Sequence, residues 1–93
     1  MDPVAQAVSR IIKEQQAIIG PVALEQAQKV DGLTIDWSKH EITVFGNTKE
    51  VLGNLVNQYA KLFGKASVEV CKEAIEPISD KIPQNDLPDI LKN

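Results

Sequence analysis

The 93-residue sequence predicts an α+β fold: two N-terminal helices, a two-stranded antiparallel β-hairpin, two C-terminal helices and a short terminal turn. Three observations carry this reading. Apolar residues recur at three- and four-residue spacing in Val4 to Ile19 and in Val51 to Phe63. The segments "LTIDW" (Leu33 to Trp37) and "EITVF" (Glu41 to Phe45) are β-branched and aromatic. Gly20-Pro21, Asp31-Gly32, Gly64 and Pro77 punctuate the chain between these runs.

The first helix is predicted from Asp2 or Pro3 to Ile19, with Asp2 as cap and Pro3 where a missing N–H costs nothing. Its stripe is Val4, Val8, Ile11, Ile12, Ile18 and Ile19, interrupted by Gln15, and Arg10 faces Glu14 four residues on. Gly20-Pro21 stops that helix, because the proline ring disfavours helical geometry at the preceding residue. A second helix follows from Pro21 to about Val30, burying Val22, Ala23, Gln26, Ala27 and Val30.

In the hairpin, Leu33, Ile35 and Trp37 share one face of the first strand, and Ile42 and Val44 share a face of the second. "NTKE" (Asn47 to Glu50) is a capping-box pattern. It opens a third helix striped by Val51, Leu52, Leu55, Val56, Tyr59, Leu62 and Phe63 and ended by Gly64. A fourth helix runs from Lys65 or Ala66 to Glu76, burying Ala66, Val70, Cys71, Ala74 and Ile75. Residues 1–77 make one compact domain, near the length at which one core suffices. Residues 78–93 form a proline-punctuated tail whose Ile82, Leu87, Ile90 and Leu91 call for docking, with Asp86 capping a last turn.

The composition narrows function. Ten basic residues against thirteen acidic ones give a net charge of −3, and the basic ones are scattered. That balance argues against nucleic acid, whose binding draws most of its affinity from phosphate contacts. No apolar run is long enough to span a bilayer. The start of the chain does not read as a secretory signal, and one cysteine supports no intrachain disulfide framework, so a cytoplasmic location is the expectation.

Residues able to do chemistry are sparse. His40, the only histidine, falls in a hairpin turn, a poor place to hold a general base in a water-poor pocket. Cys71 lies on an apolar stripe, where a thiol behaves as a small hydrophobe. One cysteine and one histidine do not make a tetrahedral zinc site, and the acidic residues at Asp31, Asp36, Glu41, Asp80, Asp86 and Asp89 lack calcium-loop spacing. "GKAS" (Gly64 to Ser67) resembles the end of a phosphate-binding loop, but Tyr59 stands where that loop needs its first glycine. No catalytic residue, metal site or cofactor site is assigned.

The order helix, "IIG" (Ile18 to Gly20), helix, "GLTID" (Gly32 to Asp36), turn, "EITVFGN" (Glu41 to Asn47), helix resembles part of a type I KH domain. That resemblance implies a single-stranded nucleic-acid-binding module that clamps its ligand on a Gly-x-x-Gly loop. The aligned segment is Gly20-Pro21-Val22-Ala23, with one glycine and no lysine, and a long helix stands where the family has its opening strand.

The function expected from the residues is therefore a non-catalytic protein-interaction module that self-associates as a homodimer. A degenerate KH-like binder of single strands is the alternative. An edge-bearing hairpin and several long apolar stripes motivate the first reading. The candidate interface is Ile11, Ile18, Ile35, Trp37, Ile42 and Val44, with Trp37 as the anchor because large aromatics concentrate interface energy.

Overall fold

The computed structural model describes residues 1–92. Its elements are α1 (Pro3–Ile19), α2 (Val22–Ala27), β1 (Leu33–Asp36), β2 (Glu41–Val44), α3 (Thr48–Phe63) and α4 (Lys65–Ile75), followed by short 3₁₀ turns through Leu91. The α+β architecture is as the sequence predicts.

The two helix caps that the sequence predicts form. The Asp2 carboxylate accepts the Ala5 N–H at 2.9 Å, and Asn47 Oδ1 accepts the Glu50 N–H at 2.9 Å, each satisfying a donor that the first helical turn leaves free. At the capping box only the Asn47 half forms. Arg10 does not pair with Glu14; its Nε donates to the Ala74 carbonyl at 2.6 Å, placing a cation against the last turn of α4. The second helix ends at Ala27, three residues short of Val30, and the strands stop at Asp36 and Val44. Trp37 thus belongs to the turn, where the Asp36 carboxylate accepts from Ser38 Oγ and from the Lys39 N–H.

The organising feature is one the sequence reading missed: the helices form two similar helix–glycine–helix units. Gly20 joins α1 to α2 and Gly64 joins α3 to α4, 44 positions apart (64 − 20). Both glycines adopt nearly the same backbone, φ 71° and ψ −151° at Gly20, φ 81° and ψ −169° at Gly64. Only glycine enters this region readily. At each corner the glycine N–H closes the outgoing helix, to Gln16 at 2.9 Å and to Ala60 at 2.8 Å. Its carbonyl then accepts from the third residue on, Ala23 or Ser67, at 3.1 Å in both.

Burial repeats with the same 44-residue offset. Ala7 and Val51, Val8 and Leu52, Ile11 and Leu55, Ile12 and Val56, Gln15 and Tyr59 are all buried, as are Ala23 and Ser67, Ala27 and Cys71, Val30 and Ala74. The units also cross-link reciprocally. Gln15 Nε2 donates to the Ser67 carbonyl at 3.1 Å, and Tyr59 Oη donates to the Ala23 carbonyl at 2.6 Å. Each donor lies five residues before its own glycine, and each acceptor three residues after the other one. The two units therefore lock each other at their corners through equivalent bonds. Gln15, a break in the apolar stripe when read as sequence, is the counterpart of Tyr59.

The remaining chain covers this body. The hairpin pairs Leu33 with Val44 and Ile35 with Ile42, and that face packs on the core. Residues after Pro77 add Ile78, Ile82, Leu87 and Leu91 to the same core cluster, so the tail is docked on its own domain.

Two stability measurements test this account. Gly20→Ala and Gly64→Ala should each lower the unfolding free energy by about 1–3 kcal/mol in urea titrations, because the corner conformation is costly with a Cβ. Tyr59→Phe should cost about 1–2 kcal/mol in the same assay, since the Ala23 carbonyl loses a buried donor.

Candidate interaction surface

The crossed hydrogen bonds fix where the four helix ends lie. Gln15 to Ser67 sets the last turn of α1 beside the first turn of α4, and Tyr59 to Ala23 sets the last turn of α3 beside the start of α2. Both glycine corners therefore occupy one end of the molecule. Ile18 (64% exposed), Leu62 (50%), Phe63 (41%) and Val22 (36%) project there. Ile18 and Leu62 are equivalent under the 44-residue offset. This apolar pole exists because the helical stripes run one turn past the point where the opposite unit covers them.

Charge at the pole is unequal between the units. The second carries exposed Lys61 and Lys65, where the first has Ala17 and Pro21. The first carries exposed Glu14, where the second has Gln58, and both carry a glutamate five residues past the glycine, Glu25 and Glu69.

The six residues singled out from sequence separate in the structure. Ile11 is fully buried in the core and offers a partner no surface; the α1 stripe points it at the other unit. Ile18 is exposed at the pole. Ile35, Trp37, Ile42 and Val44 are partly buried against the core cluster, so the apolar face of the hairpin is turned inward. Val22, Leu62, Phe63 and Ala66, which periodicity places on the inward faces of their helices, are exposed. The signal that could have found them is the resemblance of "AIIGPVALE" (Ala17 to Glu25) to "KLFGKASVE" (Lys61 to Glu69), in which apolar pairs precede each glycine.

Comparison with protein-family models, with curated proteins and with solved structures returns no match. The segment at the KH loop position is a helix corner: Val22 and Ala23 already belong to α2, and the same corner recurs at Gly64.

Groups with chemical potential sit in structural settings. Cys71 Sγ accepts from Gln15 Nε2 at 3.4 Å inside the core. Burial raises its pKa from the ordinary 9.0 to about 11, opposed in part by the Gln15 bond. Burial likewise raises Tyr59, assisted by the nearby Cys71. His40 is exposed at the hairpin tip with φ 54°, its ring 6.2 Å from that of Trp37. Among the described residues, no three His, Cys, Asp or Glu side chains group as metal ligands, and no helix is long and apolar enough to cross a membrane.

The raised Cys71 pKa means that the folded state holds the thiol proton more tightly than the unfolded chain. Its contribution is complete below pH 9 and is lost as pH rises toward 11. A colorimetric thiol reagent at pH 8 should therefore label Cys71 only as fast as the protein unfolds, and Cys71→Ala should flatten the fall in stability between those two pH values.

Proposed function

We propose that this chain is a small non-catalytic protein-interaction module that pairs with a second copy of itself through the apolar pole. The observation that carries this reading is the exposure of Ile18, Val22, Leu62 and Phe63 together at the end where both glycine corners meet. Clustered apolar side chains of this size on a small domain mark surfaces that become covered.

A second copy suits the pole for two reasons. Ile18 and Leu62 of the patch are equivalent positions of two similar units, so it presents related halves to a partner with the same pair of halves. The charges also complement one another. When the second unit of one copy lies over the first unit of its partner, Lys61 and Lys65 approach Glu14 and Glu25, and the same contacts form on the other side of the dyad. Such exposed pairs are worth little in affinity, typically under about 1 kcal/mol each, but they set orientation.

The magnitudes point to a weak, concentration-dependent dimer. Eight half-exposed apolar side chains, four from each copy, yield on the order of 8 kcal/mol when covered, against about 4–15 kcal/mol of lost rigid-body freedom. The buried positions of Cys71 and Tyr59, and the exposed turn position of His40, support the non-catalytic part of the reading.

Light scattering over a concentration series should give a mass rising from one chain toward two as protein passes from micromolar to millimolar. Ile18→Glu and Leu62→Glu, both on exposed positions, should hold the mass at one chain while leaving the thermal unfolding midpoint nearly unchanged. A native protein that stays monomeric throughout overturns the reading. A salt-sensitive shift on adding short single-stranded RNA would favour a nucleic-acid binder in its place.

A further inference from the structure

The hairpin has an edge that the body leaves open, and its geometry is specific. The Phe45 N–H donates to the Gly32 carbonyl at 2.7 Å, and the register places Thr34 opposite Thr43. Antiparallel pairs alternate between residues that exchange hydrogen bonds and residues that do not. Thr34 with Thr43 and Asp36 with Glu41 therefore exchange bonds, while Ile42 and Val44 direct their N–H and C=O groups away from β1. Among the described residues, no turn, cap or neighbouring element supplies partners for those groups.

The strand that carries this edge borders a surface concavity of about 550 Å³. Ile42, Thr43 and Val44 line one side of it. Pro3 and Val4 at the start of α1, Thr48 at the start of α3 and Pro83 from the tail also line it, and Asp2, Lys81 and Asp86 supply its charge. An edge strand on a flat open surface is a liability, whereas one set in a walled groove selects what pairs with it.

We propose that this groove docks an extended segment of another protein, which adds a third strand antiparallel or parallel to β2. Two features define the occupant. The outward N–H and C=O groups of Ile42 and Val44 require an extended backbone, which no helix and no folded surface without a free edge supplies. The two carboxylates, Asp2 and Asp86, against the single Lys81 favour a segment that alternates apolar residues, to cover Val4 and Pro83, with basic ones. The groove is separate from the apolar pole, so this inference does not depend on self-association.

The probe is an eight-residue peptide, capped at both ends, alternating valine with lysine and threonine, titrated into the isotopically labelled full chain and followed by amide chemical shifts. The expected result is saturable movement of the Ile42 and Val44 amides, with the pole residues Ile18 and Leu62 unmoved. Two N-methylated versions then test strand pairing without altering the protein. A strand uses one edge at a time, so methylating one alternate set of amides should weaken binding about tenfold or more, while methylating the other set leaves it within about twofold. Asp86→Lys should weaken the lysine peptide at least about threefold and improve a glutamate version. The Leu62→Glu variant should bind like the native chain, which separates this result from the fate of the dimer. Equal affinity of the two methylated peptides, shifts confined to other surfaces, or no binding at about 1 mM peptide overturns the proposal. If the groove instead takes the β2 edge of a second copy, the Ile42 and Val44 shifts follow protein concentration and not peptide, which also overturns it.

Discussion

The fold depends on turning a helix back across its neighbour at a glycine corner, twice. At Gly20-Pro21 and at Gly64 the chain leaves one helix and enters the next with two intervening residues and one, through a glycine backbone conformation that a Cβ makes costly. A corner this tight sets the crossing of the two helices it joins. It also exposes the first-turn carbonyls of the incoming helix to the opposite unit. A carbonyl already used within a helix keeps a second lone pair. Ser67 and Ala23 spend it on Gln15 and Tyr59, so each corner is locked by a side chain from the other unit.

The two units need the same partners and find different ones. After α2 the chain supplies a β-hairpin whose Ile35, Ile42 and Val44 pack on the core, and after α4 it supplies 3₁₀ turns carrying Ile78, Ile82, Leu87 and Leu91. Each covers apolar surface that a lone unit would expose, a necessity for a chain of this length. Neither reaches the pole where the corners meet. The uncovered residues there follow from the same packing that makes the body stable: covering them in cis would take a further segment passing over both glycines.

Groups that could carry chemistry, Cys71 and Tyr59, are enclosed among the residues that hold the units together. What faces outward is an apolar end with unequal charge and a walled strand edge. One is made of side chains and the other of backbone, and they lie on different elements.

Much of the architecture was legible because its causes are local. Asp2 and Asn47 cap, Gly20 and Gly64 terminate helices, and the alternation in Leu33 to Asp36 and Glu41 to Val44 makes a hairpin, since each depends on residues within a few positions. The candidate interface was less so. Periodicity shows that Ile11, Ile18, Leu62 and Phe63 lie on apolar stripes, but not where cover ends. Ile11 falls under the opposite unit, while Ile18, Leu62 and Phe63 fall beyond it. Trp37 looked like an anchor by size, yet the hairpin turns its apolar face inward. The repeat was present in the sequence but faint, because what recurs around the two glycines is the pattern of burial more than residue identity. By itself, then, the sequence determined the elements, their order and their caps. The tertiary structure decided that Gln15 is a cross-link, that the stripes overrun the core, and that one strand edge stays open. Those outcomes depend on contacts between residues tens of positions apart, which no local pattern encodes.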